Sequence, residues 1–244
     1  MTNKYMYFIA NWKMFGNLRT LKSLDKVVSF VKKFKKSKIK LIYCPPATLI
    51  CPMVKKLKLT SINVGGQNCH ESYNYGAYTG QINSKMLKDM GAKYVILGHS
   101  ENRKLGENDY LINTKIKSSI KSGLKIIFCI GETLKQKRKK MTKKILVNQI
   151  NKGLNKINNK KNILIAYEPI WAIGSGLIPK ESDLHETIGF IKNKIRGAKV
   201  LYGGSVSPKN INQLKKIDNL DGFLIGGASQ VSNNFIDIIK KTFN

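Results

Sequence analysis

Apolar residues along this chain fall into two patterns. Short runs rich in β-branched, aromatic and aliphatic residues recur at residues 5–11 (YMYFIAN), 40–44 (KLIYC), 62–66 (INVGG) and 93–99 (KYVILGH). They continue at 124–130 (LKIIFCI), 162–167 (NILIAY), 199–204 (KVLYGG) and 222–227 (GFLIGG). Most are continuous rather than alternating, as strands buried on both faces of a parallel sheet require. Between them apolar positions recur at helical spacing, as in Leu18, Leu21, Leu24, Val28, Val31 and Phe34, with lysines on the other face. Residues 111–123 (LINTKIKSSIKSG), closed by Gly123, and 233–243 (NNFIDIIKKTF) repeat that pattern, and Pro208 suits the first turn of a short helix.

Eight strand–helix units within 244 residues, with no linker between them, predict one (β/α)8 barrel domain over residues 1–244. The alternative is a doubly wound open sheet, but no G-x-G-x-x-G follows the first strand. No apolar run is long enough to span a bilayer, and the N-terminus lacks the features of a cleaved secretory leader. The expectation is a cytoplasmic protein with no membrane partner.

The net charge of +30 bears on partners, because strong basicity is the footprint of nucleic-acid binders. Only Arg19, Arg103, Arg138 and Arg196 among the 44 basic residues are arginines, although Arg leads in base and bidentate phosphate recognition. The lysines are spread over nearly every helical segment rather than gathered in a stripe. The charge therefore reads as compositional, with no specific nucleic-acid partner expected; a basic nucleic-acid-binding protein is the competing reading. Cys44, Cys51, Cys69 and Cys129 show no metal-like spacing, and the histidines are only His70, His99 and His185. No metal site is expected, and a reducing compartment fits.

In a barrel the chemistry lies at the C-terminal ends of the strands. There the sequence places Asn11 and Lys13 (NWK), His99 followed by Ser100 and Glu101 (HSE), and Glu168 (YEPIW). Ser205 (GGS) and Gly226–Gly227 (IGG) follow the last two strands, where barrels commonly bind phosphate through backbone N–H groups. A carboxylate at the end of a buried strand is costly to desolvate. Here it is followed by Pro169 and then by Gly174-Ser175-Gly176, which reads as a positioned acid or base at the root of a mobile loop. Taken singly, Lys13 fits a surface charge, His99 a core histidine, Ser100–Glu101 a helix start, Cys129 core and Trp171 loop packing. Taken together, a base, an electrophilic pair and a phosphate cradle point to proton abstraction beside the carbonyl of a small phosphorylated substrate.

The stretches NWKM, CPP, GAYTG, YVILGHSE, CIGETL, AYEPIWAIGSG, YGGSV and GFLIGGAS, in this order over nearly the whole chain, resemble the triosephosphate isomerase family. The resemblance implies interconversion of dihydroxyacetone phosphate and glyceraldehyde 3-phosphate, a step of glycolysis and gluconeogenesis, by a homodimer without metal or organic cofactor. A Glu base with a neutral His is the acid–base arrangement for which this family is known, so Glu168 and His99 take those roles by resemblance. It likewise implies that Lys13 stabilises the enediolate, Asn11 orients the substrate, Glu101 holds Lys13 and Ser100 contacts the base. Phosphate is expected on the N–H groups of Gly174, Ser205, Gly226 and Gly227. Pro169, Ile170 and Trp171 match the first hinge of the family's lid, and Ala172, Ile173, Gly174, Ser175 and Gly176 its tip. Another phosphate-binding barrel enzyme remains the nearest rival.

The chain departs from the family at several places. Phe15 replaces the usual Asn after NWKM, and Leu177-Ile178-Pro179 occupies the second hinge. Gln81 stands where Glu is usual and Asn102 where Arg is usual. By resemblance those two, with Thr79 and Phe15, belong to the contact between subunits.

Overall fold

The computed structural model describes residues 5–34 and 39–244. Eight parallel strands close into a barrel in sequence order, β8 returning to pair with β1. They are β1 (Met6–Asn11), β2 (Ile39–Cys44), β3 (Asn63–Gly66), β4 (Tyr94–Leu97), β5 (Lys125–Ile130), β6 (Ile163–Tyr167), β7 (Lys199–Tyr202) and β8 (Gly222–Ile225). Each corresponds to one of the apolar runs read from the sequence.

Strand alternation explains why those runs are continuous. Ile9, Ile42, Ile96, Ile127, Ala166 and Leu224 fill the barrel interior. Their neighbours Phe8, Ala10, Val95, Leu97, Ile165 and Phe223 face outward, under the helices. Both sets exclude water, so no polar face remains on the sheet. The same parity carries the chemistry: Asn11 follows Ile9, Cys129 follows Ile127, and Glu168 follows Ala166 by two residues. Each therefore points into the barrel at its C-terminal mouth. His99 is reached differently. Gly98 has φ +73°, a left-handed turn that costs a glycine little, and it re-aims the next side chain.

Two local expectations change. Leu18 is 67% exposed, because the chain there enters a 3-10 turn at Arg19–Ser23 before the α-helix Leu24–Lys33 begins. With about three residues per turn rather than 3.6, Leu18 falls off the apolar face and Val27 takes a buried place on it. Pro208 does not open a helix; the short helix is Ile211–Leu214. The preceding turn is closed by Asn210, whose Oδ1 accepts the Ser207 N–H at 2.9 Å.

Candidate active site

Three strand ends converge on one point. After β1, Lys13 adopts φ +55°, a left-handed conformation costing roughly 1–2 kcal/mol for a residue with a side chain. Its surroundings hold it there. Its N–H donates to Asn11 Oδ1 at 3.1 Å, and its carbonyl accepts from Gln67 Nε2 at 2.9 Å. Gln230 Nε2 donates to the neighbouring Trp12 carbonyl at 2.9 Å. The Lys13 ammonium, so directed, forms an ion pair with Glu101.

After β4, His99 caps the helix Ser100–Lys104, its Nδ1 accepting the Glu101 N–H at 3.3 Å. An accepting Nδ1 leaves the neutral ring's hydrogen on Nε2. Burial pushes the imidazole down to about 4, with Lys13 acting in the same direction and Glu101 opposing both. At neutral pH the ring is therefore uncharged, with an N–H directed into the barrel mouth.

After β6, Glu168 is buried to 1% exposure. Its Oε1 accepts the Ser100 N–H at 2.6 Å. Its Oε2 lies 3.4 Å from His99 Nε2 and makes no hydrogen bond among the described residues. Burial raises the carboxyl to about 8, against the lowering effects of the Ser100 N–H, Arg103 and Lys13. The backbone beneath it is tightly fitted: a Cβ at Gly131 would lie 2.0 Å from the Glu168 carbonyl oxygen, so only glycine allows that approach. Cys129 sits below, fully buried, and burial followed by the nearby Glu168 holds its thiol far above the ordinary range. It is therefore no nucleophile at neutral pH.

A cavity of about 450 Å³ opens above this cluster. Asn11, Lys13, His99, Gly174, Ser205, Gly226 and Gly227 all line it, with Gly226 against the Lys13 side chain. Glu168 lies beside His99 and is not itself on the cavity wall. Ser205 lines the cavity, but its N–H donates to Ala172 O at 2.9 Å, as does its hydroxyl at 2.6 Å. That hydroxyl also accepts the Gly176 N–H at 3.1 Å. Ser205 thus grips the loop 169–176 at two points.

The root of that loop rests on a residue to which the sequence reading assigns no role. Glu132, 1% exposed, accepts Trp171 Nε1 at 3.0 Å and the Tyr167 hydroxyl at 3.1 Å. Its carbonyl accepts the Ile170 N–H at 3.0 Å. Ile170–Ala172 form a 3-10 turn, Gly174, Ser175 and Gly176 are exposed, and Pro179 is buried at the far end. Arg103 is a second residue of this kind. Its Nε donates to Gly98 O at 2.7 Å and its Nη2 to Cys129 O at 3.3 Å, tying the ends of β4 and β5 together. The Glu in CIGETL is visible as part of a motif, but nothing in its local pattern reveals burial against a tryptophan. Phe15, Thr79 and Gln81 are exposed and Asn102 is half-buried, all four outside the cavity.

Fold and site together define the class: a (β/α)8-barrel enzyme with a carboxylate and an imidazole at its mouth. Comparison with known proteins narrows this. The family model described as Triosephosphate isomerase matches residues 6–242. The triosephosphate isomerase of Thermodesulfovibrio yellowstonii is 42% identical over 244 residues, covering 96% of this chain and 98% of that protein. That of Carboxydothermus hydrogenoformans is 40% identical, covering 96% of this chain and 97% of the relative. The crystal structure of the Bartonella henselae triosephosphate isomerase superposes with a TM-score of 0.89 at 33% identity, over 98% of this chain and 99% of the other. The chain belongs to the triosephosphate isomerase family, and is an isomerase of the aldose–ketose type.

Proposed function

We propose that the enzyme interconverts dihydroxyacetone phosphate and D-glyceraldehyde 3-phosphate through an enediolate, with Glu168 as the base. The carrying observation is the buried Glu168 carboxylate, its Oε2 unbonded and 3.4 Å from His99 Nε2, beside a cavity of about 450 Å³. In its ionised form Glu168 takes a proton from the carbon beside the carbonyl, and the electron pair moves to the carbonyl oxygen. The Nε2–H of His99 donates to that oxygen, and Lys13 balances the developing negative charge. His99 passes its Nε2 proton to that oxygen and recovers one from the neighbouring hydroxyl oxygen, which becomes the new carbonyl. Glu168 returns its proton to the former carbonyl carbon and so completes the isomerisation. Burial supports this use of Glu168: a carboxyl raised to about 8 holds a proton from a weakly acidic C–H far better than a solvated one.

The phosphate is assigned to the glycines of the cavity, Gly174, Gly226 and Gly227. Ser205 joins them only once the loop 169–176 shifts and releases its N–H from Ala172. Lid movement and phosphate binding are thereby linked, and closure keeps water from the enediolate. A homodimer is part of the proposal. Met14 (99%), Tyr75 (70%) and Tyr78 (50%) are exposed on loops that by resemblance meet the second subunit, and large apolar side chains left in water favour such a contact. The four free cysteines support a reducing, cytoplasmic location for this glycolytic step. Among the described residues, no helix is long and apolar enough to cross a membrane.

A coupled isomerase assay on the purified protein tests the reading. Turnover of both triose phosphates, with competitive inhibition by phosphoglycolate, is expected. Phosphoglycolate binding without isomerisation would instead favour another phosphate-binding barrel enzyme.

A further inference from the structure

Among the described residues, the cavity wall carries two ammonium side chains, Lys13 and Lys209, and no carboxylate. Their situations differ. Lys13 is paired with Glu101, so much of its charge is locally offset. Lys209 is exposed on the rim beside Ser207 and Asn210 and forms no ion pair among the described residues. Its backbone is nonetheless well fixed. Asn210 Nδ2 donates to Ser205 O at 3.0 Å and Asn210 Oδ1 accepts the Ser207 N–H at 2.9 Å. That pair of bonds braces the turn bearing Lys209 against the residue that grips the lid.

We infer that Lys209 is the entry cation of this enzyme, drawing the phosphate of the incoming substrate to the rim before it settles on the inner backbone groups. The inference rests on the assignment of phosphate to the glycines of the cavity. Of the two lysines that line the cavity, Lys209 is the one without an ion pair among the described residues. At physiological ionic strength charges more than about 8 Å away are largely screened, so most of the +30 net charge is felt only weakly at the mouth. A cation on the rim acts inside that distance once the substrate reaches the mouth. It stands apart from the proton transfers, which take place at Glu168 and His99, so Lys209 governs capture and not turnover.

The test compares K209Q, K209E and K152Q with the parent enzyme. Lys152 is exposed near the end of the helix Thr142–Gly153, away from the cavity wall, so K152Q removes the same charge elsewhere. At low ionic strength K209Q should lower kcat/KM about threefold and K209E about tenfold, with kcat unchanged, as expected for local loss of steering. Inorganic phosphate should inhibit both variants competitively but with a correspondingly weaker inhibition constant. K152Q should match the parent, and all differences should shrink as salt is added. Equal behaviour of K209Q and K152Q, or a defect that persists undiminished at high salt, would overturn the inference. If inorganic phosphate fails to compete with substrate in the parent enzyme, the phosphate assignment itself falls, and the role of Lys209 with it.

Discussion

His99 turns Nε2 toward Glu168 Oε2 at 3.4 Å, while Glu168 keeps its other oxygen on the Ser100 N–H at 2.6 Å. One carboxylate oxygen is thus anchored and the other is left in a dry site facing a neutral ring. Such an arrangement serves proton transfer at the expense of stability.

That expense sets a pH dependence. The folded-state carboxyl lies at about 8, against about 4.3 for an unperturbed Glu. Between those values the folded protein keeps a proton that the unfolded chain has released, so its stability falls as pH rises through the window. Glu168→Gln removes the titration. Its thermal midpoint should exceed the parent's at pH 8, and the gap should narrow toward pH 5. Melting curves at several pH values decide it, and a pH-independent gap would mean that the Glu168 carboxyl is not its source.

A second prediction concerns the lid root. Trp171→Phe keeps an aromatic ring but removes the N–H that meets Glu132 at 3.0 Å, leaving a buried carboxylate with one partner fewer. A net hydrogen bond is worth about 0.5–1.5 kcal/mol, so the population with the hinge released should rise by roughly two- to tenfold. Relaxation dispersion on the residue 169–176 amides should show the altered exchange, with a smaller change in thermal midpoint. Unchanged exchange would mean that Glu132 does not hold the lid.

Asn102 and Gln81 supply a third. Glu107 is bound by Lys115 and by Asn68 Nδ2, yet its Oε2 is buried and makes no hydrogen bond among the described residues. Its N–H donates to the Asn102 carbonyl at 3.2 Å, so Asn102→Arg brings a guanidinium within reach of that oxygen. An unsatisfied buried acceptor costs about 1–3 kcal/mol, and this variant should recover part of it. Gln81→Glu alone adds a carboxylate facing an amide in the proposed dimer contact and should weaken the dimer. The double variant should restore it. Analytical ultracentrifugation on the four proteins measures this, and purely additive effects would mean that positions 81 and 102 do not meet.

What is legible in the sequence follows from the range of the forces involved. The strands are legible because burial on both faces leaves a continuous apolar run. Asn11 and Glu168 are legible because strand parity fixes their direction once the barrel is assumed. Glu132, Gln67 and Arg103 are not, since each acts on a residue distant in sequence: Trp171, Lys13 and Cys129. No local period encodes such a contact. The Ser205 N–H reads as a phosphate donor because a glycine-rich turn after a strand has the character of an anion cradle. Its engagement by Ala172 depends on where the lid rests, which composition does not reveal.

The most direct test of the mechanism is the position of the Glu168 carboxylate. Glu168→Asp withdraws it by one methylene while leaving charge and cavity in place. Misplacement of a reacting group by about 1 Å can cost on the order of 10²-fold in rate. The variant should therefore lose about that factor in kcat in the coupled assay, while its affinity for phosphoglycolate changes much less. A Glu168→Asp enzyme that turns over at nearly the parent rate would contradict the assignment of Glu168 as the base.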